Sequence, residues 1–136
     1  MMQYKFQFLL LFMAVVTFVS CQQKKPIGNN PPHAVYDSIE KDLGEVLISD
    51  KPVTLEFEVT NDGDRSLHIF DVATTCDCTE TKFSDEQLFN GDKTVITVSL
   101  NTKDFVEGPF ERMIGVRTNA KQRPDTLYFH GVAKRK

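Results

Sequence analysis

The 136-residue chain has little of what several protein classes require. It has no Trp and only three Cys, which excludes a dense disulfide framework and the Trp-centred core of antibody domains. It has no excess of positive charge, since its formal net charge is −3, and this argues against nucleic-acid binding. Its length leaves room for one domain and little more.

Familiar catalytic motifs are also missing. The sequence contains no Gly-x-Ser-x-Gly, no His-Glu-x-x-His and no phosphate-binding loop. Residues 61–64 are rich in oxygen atoms but lack the spacing and distal Glu of a calcium loop, so they predict a turn. Glu56 and Glu58 fall on the polar face of a predicted strand, where solvated charge is the simplest interpretation. We therefore predict a protein that is not an enzyme, with no catalytic residues and no cofactor.

The first hydrophobic segment has the length of a signal peptide. Residues 6–19 carry no charge and are interrupted only by Gln7 and Thr17. A helix of this length reaches about 21 Å at about 1.5 Å per residue, whereas a bilayer core is about 30 Å thick. We predict a signal peptide over residues 1–20 and not a membrane-spanning helix.

The segment Phe18-Val19-Ser20-Cys21 resembles the bacterial lipoprotein box, in which the Cys is acylated and begins the mature chain. The resemblance implies lipid attachment, including palmitate, at Cys21, and several acyl chains make such anchoring to a bilayer durable. Gln22 after the Cys, in place of Asp, implies the outer membrane, and the lack of an acidic cluster favours a periplasm-facing position. The alternative is an ordinary secretory peptide cleaved near Ser20.

Residues 21–34 predict a flexible tether behind the lipidated Cys. Three Pro and few apolar residues between Gln22 and His33 cannot form a packed element. In a polyproline-like conformation this stretch would reach about 35 Å at about 3.1 Å per residue. We expect it to act as a spacer between the bilayer and a domain over residues 35–133, with a basic tail at 134–136.

Within residues 35–133, apolar residues alternate with polar ones in the pattern of β-strands. Predicted strands cover residues 53–60, 67–73, 96–100, 110–118 and 125–132, and turn signals occur at 61–64, 90–92 and 108–109. Residues 84–89 predict one helical turn, and no stretch predicts a long amphipathic helix. The fold class is therefore all-β, an Ig-like antiparallel β-sandwich of about seven strands.

The domain is more acidic than the whole chain. Residues 35–133 contain ten Lys and Arg against nineteen Asp and Glu, a balance of −9, of which the basic tail offsets three charges. A surface of this charge repels phosphate backbones, so we expect no nucleic-acid partner. The simplest consequence of the acidity is solubility.

Cys76 and Cys78 are the one pair of residues in the domain whose side chains suggest chemistry. In an extended strand their side chains would project from the same face, with Cα atoms about 6.5 Å apart, near the upper limit for a disulfide. A bridge would need a bend or bulge and would be easily reduced. We favour a structural or inert pair and leave open a redox-active pair or a Cu(I) site with two thiolates. Nothing in the spacing brings His68 or His130 to Cys76.

The run from Thr74 to Thr79 resembles the core of a known family. This family of unknown function comprises Ig-like domains on bacterial lipoproteins that carry a Cys-x-Cys-Thr motif, and the resemblance covers about residues 36–133. It extends to Asn61-Asp62-Gly63, Asn90-Gly91-Asp92, Gly108-Pro109-Phe110, Thr118-Asn119-Ala120 and Gly131-Val132. The family is similar to the Hydin and sperm-protein type Ig-like domains, which bind other proteins. The resemblance implies no established activity.

We predict an envelope lipoprotein that serves as an accessory module and binds a protein partner through a sheet edge or through loops at one end of the sandwich. The candidate loops are residues 61–65, 101–108 and 76–79, and the last of these presents Asp77 and Thr79 as candidate contact residues. The alternative is a redox-active or Cu(I)-binding envelope lipoprotein that acts through Cys76 and Cys78.

Overall fold

A computed structural model describes residues 28–84, 87–120 and 125–136. These residues form eight strands: β1 (Ala34–Tyr36), β2 (Glu40–Leu47), β3 (Val53–Asn61), β4 (Ile69–Thr74), β5 (Thr79–Lys82), β6 (Lys93–Leu100), β7 (Gly108–Thr118) and β8 (Asp125–Lys134). The predicted signal peptide, Cys21 and the tether as far as Ile27 lie outside the described residues. No helix within the described ranges is long and apolar enough to cross a membrane.

The strands form two four-stranded sheets. The first has the order β1-β3-β6-β5 and the second the order β2-β8-β7-β4. Among these strands, β2 pairs with β8 in parallel and every other pair is antiparallel. The predicted all-β, Ig-like sandwich is confirmed, with eight strands in place of about seven.

The core lies between the inner faces of the sheets. Alternate residues of β3, β6, β7 and β8 point inward, as the period-two pattern predicts. The fully buried large side chains of this core are Phe57, Val59, Leu67, Ile96, Val98, Leu100, Ile114, Val116, Leu127 and Phe129. The sandwich is therefore held by contacts between the two sheets, which connect strands far apart in the sequence.

The helical turn predicted for residues 84–89 is wrong at the residues that the structure describes. Leu88 instead forms an isolated bridge with Leu67, with N–O distances of 2.8 and 3.0 Å. Both leucines are buried in the core. Hydrophobic burial and a complete backbone pairing therefore outweigh the local helical preference; residues 85 and 86 lie outside the described ranges.

The strand register defines two ends of the sandwich. At the entry end, the N-terminal segment leads into β1, and Ala34 pairs with Asn61 at the end of β3. At the opposite end, which we call the cysteine end, Leu100 pairs with both Val53 and Thr79. This end carries the turns over residues 48–52 and 75–78 and the loop over residues 101–107.

Candidate functional site

Cys76 and Cys78 lie in the turn that carries the chain from β4 in one sheet to β5 in the other. The amide of Thr79 donates to the carbonyl of Cys76 at 3.1 Å, and the amide of Asn101 donates to the carbonyl of Cys78 at 2.8 Å. The Thr74 hydroxyl donates to the Cys76 carbonyl at 3.3 Å. These bonds hold the turn through backbone groups and not through the sulfur atoms.

The two cysteines form a disulfide, with Cα atoms 5.1 Å apart. The bend that a bridge between these residues was expected to need is present, because the tight turn between the sheets brings the Cα atoms closer than an extended strand would. No described residue other than glycine has a positive φ, so Asp77 turns the chain without a left-handed backbone. The 5.1 Å separation lies within the normal range for disulfides.

Each sulfur atom has a polar neighbour. The amide of Cys78 donates to Cys76 Sγ at 3.1 Å. Thr79 Oγ1 lies 3.6 Å from Cys78 Sγ. A disulfide sulfur is a weak acceptor and holds no thiolate for Cu(I), but the same two groups can stabilise a thiolate when the bond opens.

Two clefts flank the disulfide. We call the larger one, of about 320 Å³, the Arg112 cleft; it is lined by Cys76, Asp77, Cys78, Asn101, Asp104, Phe105 and Arg112. The second, of about 220 Å³, is lined by Asp50, Pro52, Asp77, Cys78, Glu80, Ser99 and Asn101. Asp77 and Cys78 therefore face both clefts, and the three loops of the cysteine end meet around them.

Arg112 brings a positive charge to the Arg112 cleft. Its guanidinium lies 5.0 Å from the centroid of the Phe105 ring, which makes an edge-to-face contact with Phe110 at 5.1 Å. Its Nη1 donates to the carbonyl of Glu111 at 2.7 Å. The buried Nε has no hydrogen-bond partner among the described residues. Stacking on Phe105 thus fixes the cation beside the disulfide turn.

Sequence reasoning missed Arg112, although a signal was present. Ile114 and Val116 are buried residues of β7. Arg112 precedes them by two and four positions, so the alternation of side chains along a strand places it on the same face. A charged residue on the inward face of a strand is unusual and points to a specific environment. Phe105 carried no comparable signal, because its burial depends on the path of the loop between β6 and β7.

The candidate contact residues have different positions. Asp77 is exposed and lines both clefts, so it is available to a partner. Thr79 is only 7% exposed, and its hydroxyl lies beside Cys78 Sγ. Thr79 is therefore not a contact residue, because the first residue of β5 points into the sandwich.

The candidate loop at residues 61–65 is covered in part by the chain itself: Asn61 and Gly63 are buried, whereas Asp62 and Arg65 remain exposed. The amide of Asn30 donates to Asp64 Oδ2 at 3.1 Å, and the side chains of His33 and Asp62 pair. A Cβ on Gly63 would lie 2.2 Å from the carbonyl oxygen of Pro31. The segment from Gly28 to His33 therefore occupies this turn, and the part of the spacer next to the domain lies against it.

A separate polar group lies on the outer face of the second sheet. His130 Nε2 is 3.3 Å from Glu40 Oε1, and its Nδ1 is 3.6 Å from Asp42 Oδ1. His130 and Asp42 line a cleft of about 590 Å³, which shares no lining residue with the two clefts at the disulfide. Within the described part of the chain, no three His, Cys, Asp or Glu side chains form a group that could hold a metal ion.

The two sheets and their topology define an Ig-like, PapD-like β-sandwich domain. Over residues 35–133 the chain matches the model of the family described as "Protein of unknown function (DUF1573)", and it belongs to that family. The predicted membership of a family of Ig-like domains of unknown function is confirmed. Among curated proteins, no sequence matches this chain.

Solved structures share the fold at low sequence identity. The ASH/PapD-like domain of human CEP192 has a TM-score of 0.63 and 8% identity, covering 82% of this chain and 93% of that one. A protein of unknown function from Porphyromonas gingivalis W83 has a TM-score of 0.59 and 14% identity over 76% of this chain, which spans only 46% of that protein. The periplasmic chaperone SfaE has a TM-score of 0.52 and 8% identity, covering 76% of this chain and 58% of that one. These likenesses concern the fold alone.

Proposed function

We propose that the protein is a lipid-anchored, non-catalytic module of the bacterial cell envelope that binds a protein partner through the loops of its cysteine end. A domain of unknown function with an Ig-like, PapD-like fold fits a non-catalytic binding module. The lipoprotein box at Cys21 supports the anchor, and Gln22 supports an outer-membrane position that faces the periplasm.

The observation that carries the proposal is the grouping of three loops and two clefts at the cysteine end, opposite the point where the chain enters the domain. The chain enters at the entry end, where residues 28–33 pack against part of the turn at 61–65. β3 has nine residues and separates the ends by about 30 Å at about 3.3 Å per residue. An anchor at Cys21 would therefore attach at the entry end and leave the cysteine end free of the attachment point.

The loop over residues 101–107 is fixed to the sandwich while its tip is exposed. The buried Thr102 hydroxyl donates to the carbonyl of Leu47 at 3.0 Å and accepts from the amide of Ser49 at 3.2 Å. Beside the buried Phe105, the side chain of Val106 is 85% exposed. A rigid loop with an exposed apolar tip loses little conformational entropy on binding, which supports a contact role.

The anchor is tested by metabolic labelling with a palmitate analogue in a bacterial host. We expect label in the unmodified protein and in the matched Cys76→Ser variant, and none in Cys21→Ser, which should leave the membrane fraction. Label that persists in Cys21→Ser, or an unlabelled protein in all three strains, would contradict the lipoprotein assignment.

The binding surface is tested with a photocrosslinking amino acid in living cells. Val106 at the cysteine end and Phe89 near the entry end are both exposed apolar residues, at 85% and 56% exposure, and form a matched pair. We expect one discrete protein adduct from position 106 and none from position 89. Adducts of equal yield at both positions, or at position 89 alone, would refute binding through the cysteine end.

A further inference from the structure

We propose that the Cys76–Cys78 disulfide is a site of thiol–disulfide exchange that accepts an electron pair from a dithiol protein of the envelope. This inference goes beyond the proposed binding function and does not require it. It rests on the backbone bonds of the turn, on the polar groups at each sulfur atom and on the charged clefts that flank the pair.

The bridge adds little to the architecture. It links residues two apart in the sequence, so it closes a very short loop and removes little entropy from the unfolded chain. The turn is already held by the amides of Thr79 and Asn101 and by the Thr74 hydroxyl. These bonds persist when the disulfide opens, so the reduced sulfur atoms remain close and able to close again.

The groups around the pair favour Cys76 as the leaving thiolate. The amide of Cys78 already points at Cys76 Sγ, at 3.1 Å, and would stabilise a negative charge there. The Arg112 guanidinium lines the same cleft as Cys76 and Cys78. No carboxylate among the described residues pairs with it, and its positive charge in the cleft is opposed by Asp77 and Asp104, which line the same cleft without contacting it. A nearby cation and an amide donor both lower the pKa of a thiol and speed its departure.

Both cysteines are half-buried and Cys78 packs partly against the core, but Cys78 is approached from two sides, so we take it as the sulfur that an incoming thiolate attacks. It lines both clefts, whereas Cys76 lines only the Arg112 cleft. The rim of the two clefts carries Asp77, Glu80 and Asp104, which have no cationic partner among the described residues, and Asp50, which pairs with Lys103 at 3.3 Å. This negative rim favours a dithiol whose cysteines are flanked by Lys or Arg.

The exchange balances in two steps. A substrate thiolate attacks Cys78 Sγ, the Cys76–Cys78 bond breaks, and its electron pair leaves on Cys76 Sγ as a thiolate. The second substrate thiolate attacks the substrate sulfur of this mixed disulfide and releases Cys78. The substrate ends as a disulfide and the protein as a dithiol, with two electrons and two protons transferred.

The test is the rate of reduction of the full-length protein by dithiothreitol, measured by thiol trapping and mass spectrometry. Arg112 and Arg117 are a matched pair, because both lie on β7 and stack on a Phe ring, at 5.0 and 5.8 Å. We expect Arg112→Met to slow reduction about threefold to tenfold, and Arg117→Met to leave the rate unchanged. Arg112→Lys should restore most of the rate, and alkylation of the reduced pair should reach half-maximum at a higher pH in Arg112→Met alone.

Single-cysteine variants test in cells which of the two sulfur atoms forms the mixed disulfide with a substrate. Cys76→Ser retains Cys78 and should accumulate mixed disulfides with other proteins, and Cys78→Ser should accumulate fewer. A bridge that stays oxidised in excess reduced glutathione, or equal rates in both Arg→Met variants, would overturn the proposal. The crosslinking test at Val106 is independent: an inert disulfide with an intact adduct at position 106 rejects the exchange site alone.

Discussion

The two ends of the sandwich differ in how hydrogen bonds hold their loops. At the entry end, the fully buried Asn61 side chain bonds to the backbone of Arg65, Leu88, His33 and Gly63. At the cysteine end, the turn is held by a few backbone bonds, and its sulfur atoms line open clefts. Dense buried hydrogen bonding stabilises the fold, and open polar clefts permit contact with other molecules. The comparison teaches that the most extensively hydrogen-bonded buried side chain and the clefts at the disulfide lie at opposite ends of the domain.

The largest effect should come from removing the network at the entry end. Asn61→Ala deletes the side chain that makes four hydrogen bonds and removes the Asn61 partner of the buried Gly63 amide, so we expect a loss of about 2–4 kcal/mol in the free energy of unfolding. Asn101→Ala at the cysteine end is the matched control. It removes one exposed bond to the amide of Lys103 and should change stability by less than about 0.5 kcal/mol. Urea unfolding measures both free energies of unfolding. Equal losses would show that Asn61 at the entry end contributes no more to stability than Asn101 at the cysteine end.

A smaller effect should follow from separating the N-terminal segment from its turn. Gly63→Ala places a Cβ 2.2 Å from the carbonyl oxygen of Pro31, so the segment must move, and we expect a cost of about 1–3 kcal/mol. Gly115→Ala is the control, since no atom lies within 4 Å of its Cβ. Thermal unfolding compares the two, together with proteolysis of the segment before β1. A Gly63→Ala protein as stable and as protected as Gly115→Ala would show that residues 28–33 do not cover the turn.

Removal of the disulfide should cost less than Asn61→Ala and no more than about the middle of the range for Gly63→Ala. A loop of this size predicts a loss of about 1.5 kcal/mol in the double variant Cys76→Ser and Cys78→Ser. The backbone bonds of the turn should keep the fold intact, which far-ultraviolet circular dichroism and urea unfolding will measure. A loss as large as that of Asn61→Ala would identify the bridge as a structural staple.

The smallest effect on stability should come from Asp37, which lies in the connection between β1 and β2. Partial burial by itself raises the pKa of Asp37, but hydrogen bonds from the Lys41 ammonium at 2.7 Å and the Glu58 amide at 2.9 Å outweigh it and hold the pKa below its usual 3.8. The ionised carboxylate therefore contributes stability above pH 3.8, and this contribution disappears as the pH falls through the lowered value. Asp37→Asn should be slightly less stable than the parent at pH 7 and equal to it in strong acid, measured by thermal unfolding. A difference that persists in acid would exclude this titration as the cause.

The strands that sequence reasoning found are those with a regular inner face. β3 alternates cleanly, so its burial could be predicted residue by residue. β2 shows no such pattern, because a bulge between Asp42 and Glu45 and the left-handed Gly44, at φ 62°, change its register. β1 has three residues and β5 has four polar ones, too few to show a period. The missed strands lie at sheet edges or pair irregularly, where partners decide the conformation.

The site could be predicted only in part for the same reason. The spacing of Cys76 and Cys78 identified them as a pair of neighbouring cysteines. Arg112 was recognisable as unusual because it is a charged residue on the inward face of its predicted strand. Their shared cleft depends on Phe105 and on the loop after β6, which no local pattern describes. The burial of Thr79 follows from its pairing with Leu100, a residue 21 positions away.

The amino-acid sequence by itself determined the all-β fold class, the alternation of buried and exposed residues along most of the long strands, and the family to which the domain belongs. These properties depend on neighbouring residues, because a period of two is a local property of extended backbone. Only the tertiary structure decided that Ala34 pairs with Asn61 at the entry end, and that Arg112 lines a cleft with the disulfide at the other end. Those outcomes depend on which distant strands pair and which faces pack together, since burial and hydrogen bonding are properties of the whole sandwich.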